Sequence, residues 1–306
     1  MLTGTVLRAR SGFYSVQTDE GLVEARLRGR LKKERQASDL AVIGDTVTVA
    51  AATDGTGTIE SVAERHTKFS RRQPGPRGTW REDIMVANLD QVLVFFACAD
   101  PPPHVRMIDR FLVVAELNEI EAVVVANKVD LVGIDAARAL FGLYERIGYP
   151  VEYVSARSGL GIDALHERLA GRISIVTGPS GVGKSTLLNA VQPGLQLATG
   201  DVSEALRKGK HTTTAAELLA VDAERGGWVA DTPGIRELGL WSVPPDELAW
   251  GFREFRPLLG GCGFNNCRHV GEPRCAIRAA VEVGDIAPER YDSYRRMLLG
   301  DEAPTG

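Results

Sequence analysis

The stretch that most constrains the fold lies past the middle of the chain. It reads "RISIVTGPSGVGKSTLLNA", Arg172 to Ala190. Gly178 to Ser185 has the spacing G-x-x-x-x-G-K-S. The β-branched residues Ile173, Ile175 and Val176 precede it, as in a buried parallel strand, and Ser185 to Val191 reads as a helix that stops at Pro193. Strand, glycine loop and helix form the context in which this motif wraps a phosphate chain. Glycines let the backbone come close to an anion, and the loop N–H groups and the helix N-terminus face it. Gly178, Pro179, Ser180, Gly181, Val182, Gly183, Lys184, Ser185 and Thr186 are therefore assigned to the nucleotide. Lys184 is expected on the β- and γ-phosphates and Ser185 on Mg²⁺. The fold implied is a doubly wound α/β sheet with the nucleotide at the strand C-terminal ends.

The base is read elsewhere. Asn127-Lys128-Val129-Asp130 follows the apolar run Ala122 to Ala126, another buried strand. A carboxylate at Asp130 can accept from the guanine ring N–H and its exocyclic amino group. Adenine lacks that donor pair, so it would leave the carboxylate unpaired. Asn127 is expected to face the guanine O6/N7 edge. Ser155 and Ala156, after the strand Val151 to Val154, suit a backbone contact to O6. GTP and GDP are thus the expected ligands. A small-molecule kinase with a phosphate loop would need an acceptor pocket and a lid, and "NKVD" argues against it.

Asp231-Thr232-Pro233-Gly234 ends the strand Gly227 to Ala230. Asp231 can hold Mg²⁺ through water, and the Gly234 N–H can sense the γ-phosphate. Between this motif and the phosphate loop lies "RKGKHTTTAAEL". Thr213 is favoured as the switch hydroxyl on Mg²⁺, with Thr212 and Thr214 still open.

In an ordinary small GTPase the phosphate loop comes first and the guanine reader near the end. Here the order is reversed. From Gln91 the chain runs through the guanine reader, the Ser-Ala strand, the phosphate loop, the first switch and the second switch. That is the usual circuit cut after the second switch and rejoined at the old termini, a circular permutation. Termini of compact domains lie close together, so the rejoining costs little. The second switch then leads straight out of the domain, and a nucleotide-dependent shift can pass directly to the C-terminal region.

The 306 residues suggest two or three domains, and a hydrophobic content of 44% suffices for real cores. No apolar run is long enough to span a bilayer and no signal peptide is read, so a cytoplasmic protein without a membrane partner is expected. Net charge is −4, but residues 1–82 carry 14 Lys/Arg against 10 Asp/Glu. Arg26, Arg28, Arg30 and Lys32 alternate, which on one strand would place them on one face. That face is either a contact for an RNA backbone or a solvated edge guarded by charge. Short alternating segments broken by glycine turns in the first sixty residues suggest a barrel of the OB type, and an SH3-like barrel fits the same pattern. The domains expected are a barrel over 1–65, a basic linker over 66–82 containing Arg71, Arg72, Arg77 and Arg81, a permuted GTPase domain over 83–240 and a C-terminal domain over 241–306.

"GGCGFNNCRHVGEPRCAI" supplies Cys262, Cys267, His269 and Cys275. Three thiolates and an imidazole make a closed tetrahedral set, the usual form of structural Zn²⁺. Helices are expected to flank it at 246–259 and 288–299. Cys98 reads as an ordinary buried residue, and His66, His104 and His166 carry no assignment.

The permuted order, "GKHTTT", "DTPGIRE", the cysteine cluster and the N-terminal barrel together resemble a known family, the bacterial ribosome small-subunit-dependent GTPases (RsgA). The resemblance covers nearly the whole chain. It implies a multi-domain protein with an OB barrel, a permuted GTPase domain and a zinc-binding helical domain. It also implies a late assembly factor of the small (30S) ribosomal subunit that contacts 16S rRNA and is stimulated by that subunit; a monomer is expected. Permuted GTPases of the large subunit share the nucleotide motifs but lack this barrel and cluster. Many GTPases orient the attacking water with a glutamine just after the D-x-x-G glycine. That position is Ile235 here. His211, directly before the switch threonines, is the candidate catalytic group, and the resemblance points to the matching histidine. Supply of that group in trans by the ribosome is the alternative.

Overall fold

The computed structural model describes residues 1–29, 41–52, 54–74, 80–195, 197, 217–231, 243 and 245–300. The first sixty residues close a barrel of five strands: β1 (Leu2–Arg10), β2 (Phe13–Thr18), β3 (Gly21–Leu27), β4 (Thr46–Ala51) and β5 (Thr56–Val62). They run in the order β1-β2-β3-β5-β4, and β4 pairs back onto β1. The β3–β5 pair is parallel and the others antiparallel. This is the OB-type arrangement, and it removes the SH3-like alternative. Strict alternation makes it possible. In β3, Val23 and Ala25 face the core with Val6, Val16, Val47, Val49 and Ile59, while Glu24 and Arg26 face outward. β3 stops at Leu27, and Arg28 follows with its N–H on the Ile59 carbonyl, 3.1 Å. Of the four alternating cations only Arg26 lies within β3, and Arg30 and Lys32 lie outside the described residues.

The segment 66–82 is not a plain linker. β6 (Lys68–Pro74) pairs antiparallel with β7 (Trp80–Ala87) in a separate two-stranded ribbon. Its proline- and glycine-rich middle suggested a connection, but Phe69, Ile84 and Val86 at the other end are buried and hold it against the body.

The nucleotide domain contains β8 (Gln91–Ala97), α1 (Val105–Leu117), β9 (Glu121–Asn127), α2 (Ile134–Ile147), β10 (Val151–Tyr153) and α3 (Ile162–Leu169). β11 (Ile173–Thr177), α4 (Lys184–Val191), β12 (Glu217–Asp222) and β13 (Gly227–Asp231) complete it. The strand order is β10-β9-β8-β11-β13-β12, parallel except for β12. β8 and β9 are apolar almost throughout because helices cover both sheet faces. Val92, Val94 and Phe96 meet Phe111 of α1 and Phe141 of α2 on one side, while Leu93 and Phe95 meet Leu165 of α3 and Leu187 of α4 on the other. β11 sits centrally between β8 and β13 although it comes late in the chain, as the permutation requires. β1 also pairs antiparallel with β12, Arg8 opposite Glu217, so barrel and nucleotide domain share one continuous sheet.

The C-terminal region departs from expectation at 246–259. Two short 3-10 turns, Leu248–Gly251 and Arg253–Leu258, replace a single helix. Phe252 between them is extended, and Pro257 cannot supply a helical N–H. α5 (Ala276–Val283) and α6 (Pro288–Leu299) come next. Phe252, Phe255 and Tyr294 form the aromatic centre, with Tyr294 edge-on to both phenylalanines at 5.5 and 5.1 Å.

α6 docks on α1 through a fully buried charge. The Arg290 guanidinium is 0% exposed. It donates to Asp109 Oδ1 at 2.7 Å and to Glu254 at 2.6 and 3.2 Å, and it lies 4.5 Å over the Phe252 ring. Tyr144 and Ser293 also donate to Asp109. Burial pulls the Arg290 pKa down, but Asp109 and Glu254 more than offset it and hold it above its ordinary value. Closer to the surface, Glu116 of α1 accepts from Arg253 at 2.5 Å and Arg256 at 2.6 Å. Arg290→Met would leave Asp109 and Glu254 buried without their shared cation. It should cost about 3–5 kcal/mol, measured as a lower urea midpoint, and a wild-type midpoint would contradict this account of the interface.

Candidate nucleotide site and metal centre

The expected phosphate loop connects β11 to α4 and lies beside the end of β9. Two of its glycines are dictated by contact. Gly178 has φ +134°, and a Cβ there would stand 2.1 Å from the Phe95 carbonyl oxygen. Gly183 has φ +88°, and a Cβ would meet Asn127 Nδ2 at 2.7 Å. That approach serves a bond: Asn127 Nδ2 donates to the Val182 carbonyl at 2.8 Å. Asn127 Oδ1 accepts from the Lys128 N–H at 2.8 Å. Asn127 thus joins the guanine-reading loop to the phosphate loop, with one Nδ2 hydrogen left for a base edge. Lys128, at φ +60°, strengthens the join by donating to the Gly181 carbonyl at 2.9 Å and to the Asp100 carbonyl.

Asp130 sits just beyond, with Oδ1 accepting from Ser155 Oγ at 2.6 Å. Ser155 orients the carboxylate with its hydroxyl. Its own N–H is taken by the Leu160 carbonyl at 2.9 Å. Cys98 is buried behind this loop, its N–H on the Asn127 carbonyl at 2.8 Å. Burial and the nearby Asp130 charge push its thiol up to about 11. Lys184 opens α4 and donates to the Gly178 and Pro179 carbonyls at 2.8 and 2.6 Å, which places its ammonium inside the loop. Pro179, Ser180, Ser185 and Thr186 flank it on the same loop and first helical turn. Asp231 closes β13, hydrogen-bonded beside β11. His211, Thr212, Thr213, Thr214, Gly234 and Ile235 lie outside the described residues.

The second centre is built by the loop between the 3-10 turns and α5. The donor atoms of Cys262, Cys267, His269 and Cys275 all lie within 4.8 Å of one another. His269 Nδ1 stands 3.4 Å from Cys262 Sγ and 3.5 Å from Cys275 Sγ. A tetrahedral ion with metal–sulfur bonds of about 2.3 Å fits such a cluster. Burial and the adjacent thiols push the Cys267 thiol up to about 12, and four donors this close suit a cation among them. Burial also lowers the His269 pKa, which favours the neutral ligand form.

The loop is held by groups that the spacing did not reveal. Glu272 accepts from the N–H groups of Arg268, Val270 and Gly271 at 2.9, 2.9 and 3.1 Å, and these donors hold its carboxyl at about 2. From α6, Tyr291 and Tyr294 donate to the His269 and Arg268 carbonyls at 2.7 and 2.8 Å. The i, i+3 spacing of the two tyrosines on one helix was the available signal. Of the basic face, Arg28 is ion-paired with Glu60, and Arg26 lies over the Phe13 ring.

Comparison with known proteins agrees with this architecture. Residues 62–241 match the RsgA GTPase model and residues 3–59 the RsgA N-terminal domain model. A relative from Gemmatimonas aurantiaca, named small ribosomal subunit biogenesis GTPase RsgA, is 48% identical over 96% of both chains. One of the same name from Moorella thermoacetica is 42% identical over 97% of this chain and 96% of its own. The crystal structure of YjeQ from Thermotoga maritima matches with a TM-score of 0.79 and 38% identity, covering 98% of this chain and 99% of that one. YloQ, described as a circularly permuted GTPase, matches with a TM-score of 0.75 and 28% identity over 100% and 98%. A phosphate loop tied to a guanine reader in permuted order, between an OB-type barrel and a Cys3His cluster, places this chain in the RsgA family of GTPases.

Proposed function

We propose that this GTP-hydrolysing enzyme is a late assembly factor of the small ribosomal subunit, and that the subunit stimulates its hydrolysis. The observation that carries the reading is the joint presence of barrel, permuted nucleotide domain and Cys3His domain, matched end to end by relatives named for small-subunit biogenesis. The same reading takes the protein as a cytoplasmic monomer that binds 16S rRNA. Among the described residues no helix is long and apolar enough to cross a membrane.

Guanine selection rests on Asp130, whose rotation Ser155 fixes, and the base edge meets Asn127 and Ala156. The phosphates lie in the loop from Gly178 to Ser185, with Lys184 exchanging its carbonyl partners for β- and γ-phosphate oxygens. Ser185, Asp231 and a switch threonine, Thr213 in preference to Thr212 or Thr214, would hold Mg²⁺, which would neutralise phosphate charge, and the Gly234 N–H would read the γ-phosphate. His211 accepts a hydrogen bond from the attacking water, because Ile235 offers no polar atom there. Contact of the subunit with the first switch would set the position of His211 against the water and so the rate.

Cys262, Cys267, His269 and Cys275 would hold one structural Zn²⁺, which would tie the C-terminal loop together. Beside it, Trp250 and Phe264 are 56% and 43% exposed, and Arg256 and Arg274 lie over their rings. Aromatic rings paired with guanidinium groups suit contact with RNA bases. In the barrel, Arg26 and Arg28, with Arg30 and Lys32, supply phosphate contacts.

Asp130→Asn should lower GTP affinity about a hundredfold and admit xanthosine nucleotides, whose acceptor pattern is reversed. Equal binding of ATP and GTP by the unaltered protein would sink guanine selection. His211→Ala should keep GTP affinity and subunit binding but lose subunit-stimulated turnover. A stimulated rate equal to wild type would instead assign that group to the ribosome. Metal analysis of folded protein should find about one zinc per chain, and Cys275→Ser should lose it. Folded protein without zinc would end that assignment.

A further inference from the structure

The outer face of the barrel carries two cross-strand rows. Arg10 of β1, Phe13 of β2 and Arg26 of β3 stand opposite one another in the first. Arg8, Ser15 and Glu24 do so in the second. Between them lies a cavity of about 370 Å³ lined by Arg8, Arg10, Ser11, Phe13, Ser15 and Glu24. The Phe13 ring is 47% exposed, and the Arg26 Cζ lies 4.2 Å from its centroid. Glu24 is occupied by Ser15 Oγ at 2.5 Å. Arg8, half exposed, reaches out of the barrel and pairs with Glu217, the first residue of β12.

We propose that this face holds one unpaired RNA nucleotide, its base on the Phe13 ring and its phosphate on Arg10 and Arg8, and that the phosphate draws Arg8 away from Glu217. The proposal rests on the ribosomal reading above and names the nucleotide class and a coupling at the barrel. An exposed ring flanked by two arginines in one row matches base stacking with adjacent phosphate contact. A duplex cannot use the ring, because its bases are already stacked and paired. A peptide strand has no edge to extend, because β1, β2 and β3 lie inside a closed barrel.

The coupling follows from where Glu217 stands. It begins the strand that leaves the first-switch sequence, and Arg8 opposite Glu217 is the register point between β1 and β12. Two anions compete for one guanidinium. When phosphate takes it, Glu217 loses its cation and the junction between barrel and nucleotide domain weakens. RNA on the barrel thus reaches the strand behind the switch, and by reciprocity the bound nucleotide alters RNA affinity by the same factor.

The test uses the full chain and a fluorescein-labelled ten-nucleotide oligouridylate, followed by anisotropy with GDP and with a non-hydrolysable GTP analogue. Phe13→Ala should weaken binding about tenfold, and Phe13→Tyr should restore it. Glu217→Gln should strengthen binding about two- to fivefold and reduce the difference between the two nucleotides. Far-UV circular dichroism confirms that each variant is folded. Phe13→Ala binding like wild type overturns the stacking site. Glu217→Gln with wild-type affinity overturns the exchange of Arg8. Co-sedimentation of the wild type with purified small subunits is read separately: its failure removes the ribosomal reading, while the oligonucleotide still decides the site.

Discussion

The buried contact between Arg290 and Asp109 is the constraint on which the rest of the C-terminal architecture depends. A guanidinium that is out of water must have anions in fixed positions. Asp109 and Glu254 supply them, with Tyr144 and Ser293 filling the remaining acceptor sites of Asp109. Such a cluster contributes little net stability against an apolar core, but it allows one docking geometry. α6 then carries Tyr291 and Tyr294 to the loop of Cys267 and His269. α6 thus carries Arg290, seated on the nucleotide domain, and both tyrosines that hold the metal-site loop, while Arg253 and Arg256 make a second attachment to α1 at Glu116.

A similar constraint governs the nucleotide loops. The close approach at Gly183 exists because Asn127 reaches across to the Val182 carbonyl. The guanine reader and the phosphate loop are therefore one unit, although 55 residues separate the bonded pair. The permutation keeps this unit intact. It changes only which chain segment leaves the sheet, and the departing segment begins at Asp231, the end of a strand next to the phosphate-loop strand.

The phosphate loop, guanine reader and cysteine cluster were legible because their chemistry requires short, fixed spacings. The barrel was legible from alternation, but the choice between OB-type and SH3-like strand order was not, since the β3–β5 and β1–β4 pairings join segments with no shared motif. The β6–β7 ribbon reads as a linker because its glycine- and proline-rich middle outweighs the buried Phe69, Ile84 and Val86. The helix expected at 246–259 fails at Phe252 and Pro257, where local geometry overrides an apolar pattern. Arg290 looks like any surface arginine. Nothing in the local sequence announces a partner so far away, and the junction of Arg8 with Glu217 is hidden for the same reason.

That distance has a consequence during synthesis. Arg290 and Asp109 are 181 residues apart. At about 5–20 residues per second, Asp109 emerges roughly 10 to 35 seconds before its arginine is made. Through most of that interval Asp109 can have the Tyr144 hydroxyl but not its cation, on a face bordered by Val113, whose apolar partners Phe252 and Phe255 are also still to come. The sheet, the guanine reader and the phosphate loop are all complete in the chain by then. The nascent protein thus passes through a stage with its nucleotide motifs present and its C-terminal docking face open, and the last helix to be translated closes it.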